Sequence, residues 1–150
     1  MHTLIMLIAT GLYSGYLPKA PGTWGSLVGL GLFYLLSTLS LPVYLIVIVV
    51  LFVVGSLAAG AAEKIIDDPD PGIIVIDEIV GMLITMIAVP ASPLTLASGF
   101  VLFRIFDVAK PFPVSFFDQR FHGGPGIMLD DVVAGLYSFL ILQILIHLVF

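Results

Sequence analysis

Apolar stretches alternate with short polar ones along the chain, at 3–17, 26–40, 42–62, 72–89, 93–106 and 132–149. Prolines and glycines mark the joins. Pro18 and Pro21 end the first stretch, and Pro42 divides the second from the third. Pro71 and Pro90 bracket the fourth, Pro93 opens the fifth, and Pro111 and Pro113 close it. The run Gly123, Gly124 and Gly126 precedes the last. This punctuation predicts helices with breaks between them. Strands for runs such as 43–54 are disfavoured, because an open sheet cannot face lipid and the alternation of a barrel is missing.

Only 42–62 and 132–149 approach the roughly 20 residues that cross a bilayer. The segment 26–40 would be about 22 Å long as a helix. Short segments bury in a bundle or thin the bilayer. The first segment holds Gly11 and Gly15 and reads as either spanning or re-entrant. The expected fold is all-α: a polytopic helical membrane protein with four to six membrane-embedded helices, in one domain over 1–150.

Composition supports a membrane setting. The 150 residues are 60% hydrophobic and 10% charged, against roughly 25% charged in soluble domains. Mean hydropathy is +1.21. The absence of cysteine removes disulfides, thiolate metal sites and cysteine nucleophiles. A net charge of −5 argues against nucleic acid. No Lys or Arg precedes Lys19 and no small-residue cleavage site follows, so a removable signal peptide is not expected.

Charge is confined to three regions: around Lys19, from Glu63 to Glu78, and from Arg104 to Asp131. Threaded up and down, six segments place all three on one face, and the positive-inside rule makes that face cytoplasmic. The opposite face receives 37–43, 89–95 and the termini, with no charged side chain.

Each region carries candidate chemistry. Pro21-Gly22-Thr23-Trp24-Gly25-Ser26 offers backbone N–H groups to a phosphate at a helix start, or is a Pro-Gly turn with Trp24 as interfacial anchor. Asp67, Asp68 and Asp70 read as a solvated loop. Asp77 and Glu78 lie within an apolar frame, about 8 Å along a helix starting near Gly72. There, carboxylates need a cation or metal, unless they snorkel at a helix start whose dipole favours acids. Arg104, Asp107 and Lys110 recur every third residue. They form either an ion-pair ladder or a metal-ligating Asp flanked by phosphate-binding cations. Asp130 suits an N-cap and Asp131 a first-turn acid, though two carboxylates exceed capping needs. His122 is by composition a surface histidine. Together, Asp70, Asp77, Glu78, Asp107, Asp130 and Asp131 form an oxygen-rich set suited to hard cations such as Mg²⁺. Water attack on a phosphate at lipid depth is the reaction such a set supports.

These residues give the chain a resemblance to phosphatidylglycerophosphatase A, a bacterial family of membrane enzymes in phospholipid synthesis. The matching stretches are Ala20-Pro21-Gly22-Thr23 with Gly25-Ser26-Leu27, and Asp70 with Ile74-Val75, Asp77-Glu78 and Gly81. Phe103-Arg104 with Asp107, Lys110-Pro111 and Pro113 follow. His122-Gly123-Gly124-Gly126-Ile127-Met128 with Asp130-Asp131 and Ala134-Gly135 completes the set. The resemblance covers essentially the whole chain. It implies an all-helical fold and Mg²⁺-dependent hydrolysis of phosphatidylglycerophosphate to phosphatidylglycerol in the bacterial cytoplasmic (inner) membrane. Carried onto this chain, it implies Asp77, Glu78, Asp107 and Asp131 as catalytic, and Thr23, Arg104, Lys110 and His122 as phosphate-binding. The six carboxylates named above are then the metal set.

A channel or transporter with a one-sided acidic cation site is the rival reading. It needs polar groups along a path across the bilayer, and only Ser56, Thr85, Ser98, Ser138 and Gln143 lie deep, scattered and uncharged. A purely structural bundle does not explain Asp77 and Glu78. The Lys…Arg-Pro, Ser-Gly-His and Ser-Arg…His set of vanadium-dependent-haloperoxidase-like phosphatases is absent.

Overall fold

A computed structural model describes residues 2–68, 71–116 and 123–148. These residues are helical throughout, with no strand among them: α1 (His2–Ala9), α2 (Pro21–Leu36), α3 (Leu41–Ile66), α4 (Ile76–Thr85), α5 (Pro93–Ala109) and α6 (Gly123–Leu148), plus a 3-10 turn at Ser14–Tyr16. Proline opens α2, α3 and α5, where its fixed φ suits the first turn and its missing N–H costs nothing. A reciprocal capping box between Ser92 and Thr95 also fixes the start of α5. Asp67 and Lys110 end α3 and α5 in left-handed conformation.

Two helices, α3 and α6, are long and apolar enough to cross a membrane among the described residues. Only 28% of either apolar window is buried inside the protein, unlike the core helix of a soluble domain. Ile46, Val49, Val50 and Leu57 of α3 are exposed, as lipid-facing side chains must be. The other helices are shorter. By rise per residue, α2 and α5 are about 24 and 26 Å long and α1 about 12 Å, so α1 is too short to cross.

Packing centres on α4, which touches α2, α3, α5 and α6. Every residue from Ile79 to Thr85 is buried. This ten-residue helix corrects the apolar run 72–89. Upstream, Val75 N–H donates to the Ala9 carbonyl at 2.9 Å, so the chain pairs with the end of α1 and turns helical only at Ile76. Asp77 and Glu78 therefore lie in the first turn rather than 8 Å inside. Downstream, Tyr44 of α3 donates to the Leu83 carbonyl at 2.7 Å, and Gln143 of α6 donates to the Ile87 carbonyl at 2.8 Å. Side chains from two other helices thus satisfy carbonyls that a longer helix would have bonded itself.

The start of α6 is the second correction. It begins at Gly123, not 132, and the glycine run forms its first turn. At Gly124 a Cβ would overlap the Ser56 carbonyl of α3, so these glycines serve close helix packing rather than a break. Asp130 and Asp131 consequently lie well inside α6, and neither caps its N-terminus.

Candidate active site

Four helix segments bring the chemistry together: the start of α2, the first turn of α4, the last turns of α5 and the third turn of α6. Two acids are each followed by a glycine one turn on, in Asp77-Glu78-Ile79-Val80-Gly81 and Asp131-Val132-Val133-Ala134-Gly135. A Cβ on Gly135 would stand 2.6 Å from the Gly81 carbonyl oxygen, and one on Gly81 would stand 2.8 Å from the Asp131 carbonyl oxygen. Real Cβ atoms do not approach so closely, so α4 and α6 cross at this distance only because both positions lack a side chain. The crossing aligns the preceding turns. Ligand atoms of Asp77, Glu78 and Asp131 then lie within 4.8 Å of one another.

Asp77 Oδ1, Glu78 Oε2 and Asp131 Oδ2 are buried and have no hydrogen-bond partner. Asp131 as a whole is 2% exposed. Asp77 faces the negative charges of Glu78, Asp131 and Asp130, and Asp131 faces those of Asp107, Glu78 and Asp130. Buried carboxylates without partners are strongly disfavoured, and mutual repulsion adds to the cost. A hard divalent cation ligated by oxygens removes both penalties. The donor chemistry and the three orphaned oxygens therefore fit such an ion.

The rim of the cluster is balanced within the protein. Arg104 Nη1 donates to Asp107 Oδ2 across one turn of α5. The same nitrogen is 3.5 Å from Ser26 Oγ, which donates to the Gly22 carbonyl at 2.8 Å. Lys110 does not reach back to Asp107 as the three-residue spacing allows. Its left-handed backbone (φ 41°) leaves the helix, and its Nζ pairs with Asp130 Oδ2 of α6 at 2.8 Å. Among the described residues, one ion pair thus lies along α5 and another ties α5 to α6.

Of the residues singled out in the sequence, the structure gathers Asp77, Glu78, Arg104, Asp107, Lys110, Asp130 and Asp131. Thr23 sits at the start of α2, but no hydrogen bond ties its hydroxyl to the cluster among the described residues. Asp70 and His122 lie outside the described residues. Gly22 and Ser26 gain roles that local pattern does not show. A Cβ on Gly22 would strike Glu78 Oε1 and come within 3.0 Å of Arg104 Nη1, so the bare backbone there lets acid and cation pack close against α2. Trp24 is half exposed, with its indole N–H 3.4 Å from the Pro18 carbonyl.

Fold and site define a class: a helical membrane protein with a buried, unbalanced acidic centre beside a guanidinium. Comparison with known proteins makes this specific. The profile of the family described as phosphatidylglycerophosphatase A matches residues 7–146. A phosphatidylglycerophosphatase A of Escherichia coli K12 is 42% identical over 142 residues, covering 94% of this chain and 83% of the relative. One from Haemophilus influenzae is 41% identical over 140 residues, covering 91% and 85%. A Bacteroides thetaiotaomicron protein, provisionally named a phosphatidylinositol-3-phosphatase, is 38% identical over 148 residues, covering 94% and 92%. No solved structure matches the chain. The chain belongs to the phosphatidylglycerophosphatase A family, and is a phosphatase.

Proposed function

We propose that this protein is a Mg²⁺-dependent lipid phosphatase that converts phosphatidylglycerophosphate to phosphatidylglycerol and phosphate. The observation that carries this reading is the trio of buried, unpartnered carboxylate oxygens beside Arg104, in a chain of this family. Asp77, Glu78 and Asp131 would hold the ion, with Asp107 and Asp130 at the rim. When bound, Mg²⁺ supplies Lewis acidity and neutralises charge on the phosphate.

The protein's own groups do the rest. A guanidinium has five N–H donors, so Arg104 keeps donors for a phosphate while Asp107 fixes its plane. Lys110, held by Asp130, adds a second positive charge. The missing side chain at Gly22 lets the Glu78 carboxylate and the Arg104 guanidinium pack against the start of α2. A carboxylate of the set accepts the proton of the attacking water. Water attacks phosphorus, the ester P–O bond breaks, and the same carboxylate returns the proton it took from water to the departing lipid oxygen, which leaves as the hydroxyl.

The test is phosphate release by purified protein from phosphatidylglycerophosphate, with Mg²⁺ and then with excess chelator. Release with Mg²⁺, loss on chelation and recovery on adding Mg²⁺ back are expected. Full turnover with metal shown to be absent would sink the metal mechanism. The Bacteroides relative motivates a parallel assay with phosphatidylinositol 3-phosphate, and preference for that lipid would reassign the substrate.

The same reading places the protein in the bacterial cytoplasmic membrane with its site on the cytoplasmic side and four to six embedded helices. The one-sided charge supports this orientation. Cysteines introduced at Ser40 and Ser92 should react with an impermeant label in intact cells, and one at Asp68 should not. The reverse pattern would invert the topology.

A further inference from the structure

Ser26 is fully buried in the second turn of α2, where nothing in the helix itself calls for a hydroxyl. Its Oγ donates to the Gly22 carbonyl, an oxygen that the α-helical ladder already supplies with an N–H from one turn on. Such back-bonding does not strengthen a helix, and alanine is the better helix former. Where α2 presses on α4 it uses Gly25 and Gly29, with no polar side chain. Ser26 instead meets Arg104 of α5, with its oxygen 3.5 Å from Nη1. The hydroxyl proton is already given to Gly22, so the oxygen is left to accept from the guanidinium. The contact is long for a hydrogen bond, as catalytic contacts often are before substrate binds. Nη1 carries two N–H groups. One goes to Asp107 on the same helix, and the other can go to Ser26.

We propose that Ser26 is a positioning residue for Arg104. With Asp107 it occupies both N–H groups of Nη1 and fixes the plane of the guanidinium, leaving those of Nη2 and Nε for the oxygens of the substrate phosphate. The inference rests on the lipid phosphatase reading, in which Arg104 binds phosphate, and adds to it a residue from a second helix. Asp107 ties Arg104 only to its own helix. Ser26 ties it to α2, whose Gly22 backbone also packs against Glu78, so the guanidinium is held in register with the acidic centre. A planar fork held at two points loses less freedom when it engages a phosphate.

The test is a double-mutant cycle read as kcat/KM for phosphate release from phosphatidylglycerophosphate with Mg²⁺, with the melting temperature of every variant measured beside it. Ser26→Ala should keep or raise the melting temperature and lower kcat/KM about fivefold, the scale of one hydrogen bond. In an Arg104→Lys background, which has no planar fork to hold, the same substitution should change kcat/KM by no more than about twofold. Ser26→Cys fills the space with a poor acceptor and should lose as much as Ser26→Ala. Equal losses from Ser26→Ala in the two backgrounds overturn the positioning role, as does wild-type activity in Ser26→Cys, which would make the residue a space-filler. Failure of both single variants to fold assigns Ser26 to packing and overturns the role as well. Full activity in Ser26→Ala removes the positioning role and leaves the phosphatase reading standing. Wild-type protein inactive on phosphatidylglycerophosphate and on phosphatidylinositol 3-phosphate removes that reading, and the positioning role with it.

Discussion

Two sets of carboxylates share one end of this bundle and differ in what balances them. Asp107 and Asp130 each hold a cation from the protein, Arg104 and Lys110. Asp77, Glu78 and Asp131 form no ion pair among the described residues, and each leaves an oxygen buried without a partner. The chain has five basic residues and ten acidic ones, and among the described residues Arg104 and Lys110 form their ion pairs with the rim. A structural network would place its cations where desolvation is greatest. Leaving three buried carboxylate oxygens unpartnered supports a counter-charge from outside the chain. The rim pairs then orient Arg104 and tie α5 to α6, and in the proposed mechanism the centre would hold the cation.

The largest expected effects belong to the centre. Asp77→Asn and Asp131→Asn are nearly isosteric and remove one negative charge each. Turnover should fall about 100-fold or more, on the scale of a catalytic side chain, because an amide is a poor replacement for an anionic ligand. Melting temperature measured without metal should hold or rise, since repulsion is relieved. Near-normal turnover in folded Asp77→Asn would remove that residue from the site.

Arg104→Lys comes next. It keeps the charge and loses the planar fork. A fall of about tenfold or more in kcat/KM is expected, roughly 1.4 kcal/mol of transition-state stabilisation. A fully active, folded Arg104→Ala would reduce the Arg104–Asp107 pair to a structural tie.

Asp130→Asn should act mainly through its bond to Lys110. One side chain is about a third exposed, so the pair is worth about 1 kcal/mol or less. A small loss of melting temperature and a few-fold loss of turnover are expected. A loss as large as that of Asp131→Asn would move Asp130 into the centre. Asp67→Asn should do least, within about 0.5 kcal/mol of stability, because Asn tolerates the left-handed conformation that ends α3. Measurable loss of turnover there would extend the site into the loop that follows.

The sequence showed the acids as one set without this contrast, and the gaps have physical causes. Acids in an apolar frame are costly wherever the helix starts, so Asp77 and Glu78 stood out despite a misplaced boundary, while Asp131 was noticed only as one of a pair with Asp130. The three-residue spacing gave the Arg104–Asp107 pair, which is local. Lys110 escaped the same rule because its backbone turns left-handed and reaches α6. The end of α4 was hidden because Tyr44 and Gln143, far away in the chain, take the carbonyls of Leu83 and Ile87. The start of α6 was misread because glycine marks both breaks and close packing, and only the neighbour at Ser56 decides between them. Gly22 and Ser26 likewise gain their roles from Glu78 and Arg104, which come from other helices.

The central claim is that the unbalanced acids form a divalent-cation site, and melting temperature against Mg²⁺ concentration tests it without relying on turnover. An ion that binds the folded state alone raises stability with concentration. Chelator-treated wild-type protein in detergent should melt higher as Mg²⁺ is added, and Asp131→Asn should show little or no rise. A wild-type melting temperature indifferent to Mg²⁺, or an equal rise in Asp131→Asn, would contradict the account.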